Sequence, residues 1–178
     1  MGIEKPHSKV KLVLPVLFSN PKQLDNILND IISLCGNIDY QSPDIDFTFT
    51  DYYNKEMGNP ITRRFYGFKN LIEPEDLVDI KLASNRIEKK STIDNARKVN
   101  LDPGYLELGK FILATTKDQQ HRIYIRNGIF EEITLFYRDG QWRHWEWTYP
   151  DFRSEIYKKE LIKIRNIYKK QLNEKNKS

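Results

Sequence analysis

The architecture this sequence predicts is an α+β fold built on a mainly antiparallel sheet. It reads as a ferredoxin-like βαββαβ start, then a C-terminal three-stranded meander and a final helix. Three observations lead there. Apolar runs of strand character alternate with two helical stripes over the first half. Two hairpin dipeptides, Asn127-Gly128 and Asp139-Gly140, punctuate the second half. A lysine-rich stretch with an apolar stripe ends the chain.

The elements follow in order. Val10–Phe18 is a nearly continuous apolar run, as a central strand would be. Asn20 then Pro21 is a helix start, a capping side chain followed by proline at the first helical position. Leu24, Ile27, Leu28, Ile31, Ile32 and Cys35 keep helical spacing until Gly36 ends it. Ile45, Phe47 and Phe49 alternate with polar residues as a half-buried strand does. A turn-rich Met57-Gly58-Asn59-Pro60 leads to a strand over Arg63–Phe68. Pro74 opens a second helix with Glu75, Asp76 and Asp79 near the positive end of its dipole, and Leu77, Ile80, Ser84 and Ile87 inside. Ser91–Lys98 is polar connection, Asp102-Pro103-Gly104 has turn chemistry, and Gly109–Thr115 is the next strand.

The two hairpin dipeptides separate strands His121–Arg126, Ile129–Arg138 and Gln141–Trp147, and two-residue loops put Arg126 opposite Ile129 and Arg138 opposite Gln141. Strict alternation then gives one face Arg122, Tyr124, Glu131, Ile133, Leu135, Tyr137, Trp142, His144 and Glu146. The other carries His121, Ile123, Ile125, Phe130, Glu132, Thr134, Phe136, Arg143, Trp145 and Trp147. Being richer in large apolar groups, the second face is expected to meet the core. Ser154 or Asp151 can cap the last helix, and Tyr157, Leu161, Ile164, Tyr168 and Leu172 form its docking stripe.

Composition bounds the rest. With 178 residues, 39% hydrophobic, the chain is sized for a single domain over 1–178, with 1–8 and 173–178 expected as flexible ends. A lone cysteine, Cys35, rules out an internal disulfide and a four-cysteine zinc site, and reads as a small core residue. No stretch approaches the roughly 20 apolar residues of a membrane span. The polar start lacks a signal-peptide pattern, so a cytoplasmic location is expected. Residues 153–178 carry nine Lys/Arg against three Glu, or +6, which leaves −2 of the net +4 for the rest. The basicity belongs to the last helix, which argues against a whole domain built for nucleic acid.

Candidate chemistry gathers in the second half. His121 is placed opposite Thr134, with Glu132 a pair further on, so His121 and Glu132 can act as an acid–base pair or as a structural hydrogen bond. Asp102 can present a carboxylate or simply turn the chain. Thr115-Thr116-Lys117-Asp118 partly echoes a guanine-recognition element, but no phosphate-cradling glycine loop accompanies it. Lys117 and Arg122 are candidates to hold an anion, and Asp118 and Thr134 to line the same site. Asp44 and Asp46 lie on one strand face in the manner of a magnesium pair or of a solvated edge. The histidines show no metal-ligand spacing, so no metal site and no cofactor is read. Trp147-Thr148-Tyr149-Pro150-Asp151-Phe152 concentrates aromatics that would stack on bases if exposed, or staple the last helix if buried.

The strings Lys98–Tyr105, Leu113–Asp118, His121–Tyr124, Trp147–Phe152 and Asp51-Tyr52-Tyr53 with Glu56-Met57-Gly58 resemble those of the bacterial domain-of-unknown-function family 4416, over roughly residues 9–172. The resemblance implies a small stand-alone bacterial protein and supplies no catalytic role. The residues themselves point first to a binding or enzymatic domain for a small anionic or phosphorylated ligand, a nucleotide among the candidates. The expected site is Asp102, Lys117, Asp118, His121, Arg122, Glu132 and Thr134. A module binding RNA or protein through the basic helix, and a structural or assembly role, are the alternatives.

Overall fold

The computed structural model describes residues 2–94 and 96–175. The flexible ends expected at 1–8 and 173–178 fall partly outside these residues. Helices and strands are mixed, and a ten-stranded antiparallel sheet forms the middle layer. Strand β1 (Val10–Phe18) is its centre, buried along its whole length, as its unbroken apolar run requires. Helix α1 (Pro21–Cys35) starts where expected, with Asn20 accepting from the Lys22 amide at 3.0 Å. Next come β2 (Ile38–Gln41), the short β3 (Ile45–Asp46) and the one-turn α2 (Asn54–Met57). Strand β4 (Thr62–Ile72) pairs antiparallel with β1 and carries β2 and β3 on its far edge. Helix α3 (Leu77–Lys90) packs with α1 over one sheet face, burying Leu24, Ile31, Leu77 and Val78 against Leu12, Leu14 and Val16.

The Asp102-Pro103-Gly104 segment corrects an expectation. It is no turn. Strands β5 (Val99–Leu101) and β6 (Gly104–Leu106) keep a single register on β1, Leu101 opposite Val16 and Gly104 opposite Val13. Pro103 and, across from Asp102, Pro15 have no amide hydrogen, so the ladder breaks while the chain runs straight on. The Asp102 amide still donates to Pro15 O at 3.0 Å. Gly104 is needed for close packing, since a Cβ there would lie 2.2 Å from Ile112 O. Residues 99–106, rather than Gly109–Thr115, therefore flank β1; the latter form β7 (Lys110–Thr115), one strand further out.

Both hairpin turns are present, with Asn127 and Asp139 at φ 54° and 53° and Gly128 and Gly140 at 75° and 79°. Arg126 pairs with Ile129 and Arg138 with Gln141, as expected. The strands are shorter than expected: β8 is Ile123–Arg126 and β10 is Gln141–His144, with β9 (Ile129–Arg138) between them in sequence. Their arrangement is also not a simple meander. Glu131 pairs with Ala114 of β7 on one side and Ile123 of β8 on the other. Phe136 pairs with Lys110 of β7 and, opposite, with Arg143 of β10. Both hairpin arms thus lie end to end on the same edge of β9. Between them, residues 132–134 of β9 face a gap.

Bulges upset the expected faces as well. The β8–β9 register shifts between Tyr124 and Arg126, and the β7–β9 register shifts between Phe111 and Ile112. As a result Glu132, Thr134 and Leu135 are all buried, and so is Trp142 from the face expected outside. Ile123 and Ile125 from the expected core face are 70% and 41% exposed. The chain closes with α4 (Pro150–Arg153) and α5 (Glu155–Lys175). Tyr157, Leu161, Ile164 and Tyr168 of α5 are buried against Val13, Phe65, Phe111 and Trp142 on the second sheet face. Cys35 is buried, and that burial pushes its thiol up to about 12, so it is inert.

Candidate functional site

A cleft of about 940 Å³ opens where β7 stops short of β5. Residues from the loop after β3, from α3, from the ends of β5 and β7 and from the start of α4 line it. With no strand beside β5 at this point, the outward groups of Leu101 need other partners. Two α3 side chains provide them. Lys81 Nζ donates to Leu101 O at 2.8 Å, and the Leu101 amide donates to Glu88 Oε1 at 2.7 Å. Glu88 Oε2 also accepts from Arg97 Nη1 at 3.1 Å. Arg97 reaches further, to Asn100 Oδ1 at 2.8 Å and Glu56 Oε2 at 3.0 Å. Burial raises the Glu88 carboxyl, and Lys81, the Leu101 amide and Arg97 only partly counter it.

Arg63 is also deeply buried, with its side chain 3% exposed. It points from β4 onto the same sheet face as Phe65, two residues on. Its Nη1 donates to Asp102 Oδ2 at 3.2 Å, its Nη2 to Asp151 Oδ2 at 3.1 Å and its Nε to the Tyr157 hydroxyl at 3.4 Å. The guanidinium carbon sits 5.7–5.8 Å from the ring centres of Phe47, Phe152 and Tyr157. Burial opposes its charge, but Tyr157, Asp151 and Asp102 outweigh that and hold it protonated. The two carboxylates differ. Burial alone would raise Asp102, yet Arg63, Lys81 and Asn100 together bring it below the ordinary range. For Asp151 burial prevails over Arg63 and the Phe152 amide, and its carboxyl sits above that range. Asp102 is 27% open to the cleft and Asp151 only 9%.

At the other end, the gap along β9 explains a second cluster. Glu132 Oε2 accepts from Arg122 Nε at 2.7 Å and lies 3.1 Å from His121 Nε2, while Thr134 Oγ1 donates to Glu132 Oε1 at 3.3 Å. His121 and Arg122 precede β8, so strand alternation does not separate them. This corrects the expected placing of Arg122 on the face opposite Glu132. Arg122 also donates to Lys117 O at 3.0 Å and to the Tyr149 hydroxyl at 3.2 Å, tying the loop after β7 to the entry of α4. His121 stacks on Trp147, which stacks on Trp145 at 5.2 Å between ring centres.

Of the residues expected at a site, Asp102, Lys117, Arg122 and Glu132 line the cleft. His121 and Thr134 stand behind it, on Glu132, and Asp118 is exposed outside it. Lys117 lies at the mouth, 5.1 Å from the Tyr52 ring centre, and has no ion-pair partner among the described residues. No sequence motif singles out Arg63, Lys81, Glu88 or Arg97, and Asp151 reads there only as an alternative to Ser154 for capping the last helix. The available signal was a charge at position 63 on the inward side of a strand, in step with Phe65. Asp44 is taken up by Arg64, at 2.6 and 2.9 Å, and Asp46 is exposed. Among the described residues no group of three or more His, Cys, Asp or Glu gathers as metal ligands. No helix there is long and apolar enough to cross a membrane. On α5, Lys158 and Lys163 pair with Glu155 and Glu160, which reduces the charge that helix presents.

No curated protein and no solved structure matches this chain. A family model described as "Domain of unknown function (DUF4416)" matches residues 8–168 of the 178, and the chain belongs to that family.

Proposed function

We propose that this member of the family binds a small anionic ligand bearing a planar ring, of which a nucleotide is the model, in the cleft above Arg63. The observation that carries this reading is the make-up of that one cleft. Aromatic side chains from Phe47, Phe49 and Tyr53 line it together with Lys117 at its mouth, which has no ion-pair partner among the described residues. Its volume, about 940 Å³, lies within the range of small-molecule sites. Ring faces suit stacking, and an ammonium held beside Tyr52 suits a phosphate. The carboxylates inside are each engaged by arginine, so they repel an anion less than their number suggests. Arg122, held by Glu132, keeps the Lys117 loop in place and so shapes the mouth.

Thermal-shift measurement and calorimetric titration with nucleoside 5′-monophosphates, ribose 5-phosphate and inorganic phosphate test the reading. A nucleoside monophosphate is expected to raise the melting temperature more than phosphate alone. Lys117→Glu, on the surface, is expected to weaken binding by about tenfold or more, the scale of a lost charge-assisted contact plus repulsion. No shift with any compound, or equal binding by Lys117→Glu and Phe49→Ala, would reject it.

A further inference from the structure

We infer that Asp102 and Asp151, held on the two terminal nitrogens of Arg63, form an acid–base pair that hydrolyses a glycosidic bond in the ligand of this cleft. The inference rests on the ligand reading above and adds a reaction to it. Its geometric basis is the shared guanidinium. Asp102 Oδ2 and Asp151 Oδ2 lie 3.2 and 3.1 Å from Nη1 and Nη2, and both residues line the cleft. One arginine charge thus serves two carboxylates, an arrangement that favours different protonation of the two. Their surroundings agree with separate roles, Asp102 lowered and Asp151 raised from the usual aspartate range.

A second observation is independent of the acids. Asn100 is 95% buried, since only 5% of it is exposed, and it lines the same cleft. Its Nδ2 makes no well-formed hydrogen bond, although it stands near enough to Asp102 to favour the ionised form. A buried donor left in this way is matched by an acceptor from a ligand, such as a sugar hydroxyl.

The carboxylate pair selects the reaction class. Two aspartates of different protonation in one cleft are what glycosidic hydrolysis requires, one to give a proton to the departing atom and one to take a proton from water. The ionised Asp102 also stabilises a positively charged, oxocarbenium-like transition state. The anionic end of the ligand belongs at Lys117. In the step, a water oxygen bonds to the anomeric carbon as the bond from that carbon to the departing nitrogen or oxygen breaks. Asp102 takes the proton of the water, and Asp151 gives its proton to the departing atom. Solvent then carries a proton from Asp102 back to Asp151, restoring both.

The test uses the full chain with the 5′-monophosphates of adenosine, guanosine, cytidine and uridine as probes, and reads free base by chromatography alongside the thermal shift. Wild type is expected to release base from a compound that shifts its melting temperature, with a bell-shaped pH profile. Asp102→Asn and Asp151→Asn, near-isosteric changes, are expected to lower release by at least ~100-fold while the shift persists. A shift without base release in wild type overturns this inference and leaves the ligand reading standing. Release undiminished in either variant overturns it too. Absence of any shift overturns the ligand reading, and the inference with it.

Discussion

Replacing Arg63 by methionine should strand Asp151 in the interior, and the size of the effect follows from the exposures. Arg63 is 3% exposed, Asp151 9% and Asp102 27%. Methionine retains much of the apolar bulk between Phe47, Phe152 and Tyr157, so the cavity term is small. What remains is the loss of one partner from a buried ion pair, which costs about 3–5 kcal/mol. Asp102 relaxes toward the water of the cleft, so the lower end, about 3 kcal/mol, is expected. For a chain of this length that corresponds to a fall in melting temperature of roughly 6–12 °C. Urea unfolding at pH 7 measures it, with Asp151→Asn added to Arg63→Met as a double-mutant cycle. Removing the stranded carboxylate should recover about 2 kcal/mol, part of the buried-charge penalty. The sign with pH is also determined. A carboxyl raised above its unfolded value stabilises the protonated, acidic-side protein and loses that contribution as pH rises through its folded value. The deficit of Arg63→Met should therefore shrink on acidification as Asp151 takes a proton. A variant within 1 kcal/mol of wild type, or no recovery in the double variant, would refute the reasoning.

Two further substitutions probe the frame of the cleft. Thr148 is fully buried, donates to Thr134 O at 2.8 Å and accepts from the Trp145 amide at 3.0 Å, closing the gap between β8 and β10. Thr148→Val should cost about 2 kcal/mol by leaving both groups unpaired. Thr148→Ser keeps both bonds, so equal losses for the two variants in urea would contradict that role. Glu88 is raised by burial, so wild type should lose stability as pH climbs from about 4.3, the free glutamate value, through the folded value. Glu88→Gln lacks that component. The stability of Glu88→Gln relative to wild type should rise with pH across this window, and a fall would show that Glu88 is held ionised.

Much of the frame could be read locally. The Asn20 cap, the α5 stripe of Tyr157, Leu161, Ile164 and Tyr168, and the two hairpin turns depend on neighbours within a few residues. Even the first paired residues of each hairpin follow from the turn, as Arg126–Ile129 and Arg138–Gln141 show. Away from the turns that logic fades. One bulge in each of two pairings changes which face a side chain takes, and burial then follows the packing rather than the alternation. Asp102-Pro103-Gly104 has every local property of a turn, but pairing with β1 keeps it extended.

The sequence by itself determined where α1 starts, where the two hairpins turn, and which short stretch holds chemically able side chains. Those are properties of torsion preference and periodicity, set by residues adjacent in the chain. Only the tertiary structure decided that both hairpin arms share one edge of β9, which brings His121 and Arg122 to Glu132. It alone placed Arg63 between Asp102 and Asp151, partners 39 and 88 residues away. No local preference encodes such a meeting, because it is produced by strand order and by the burial of one charge that must find its counter-charges.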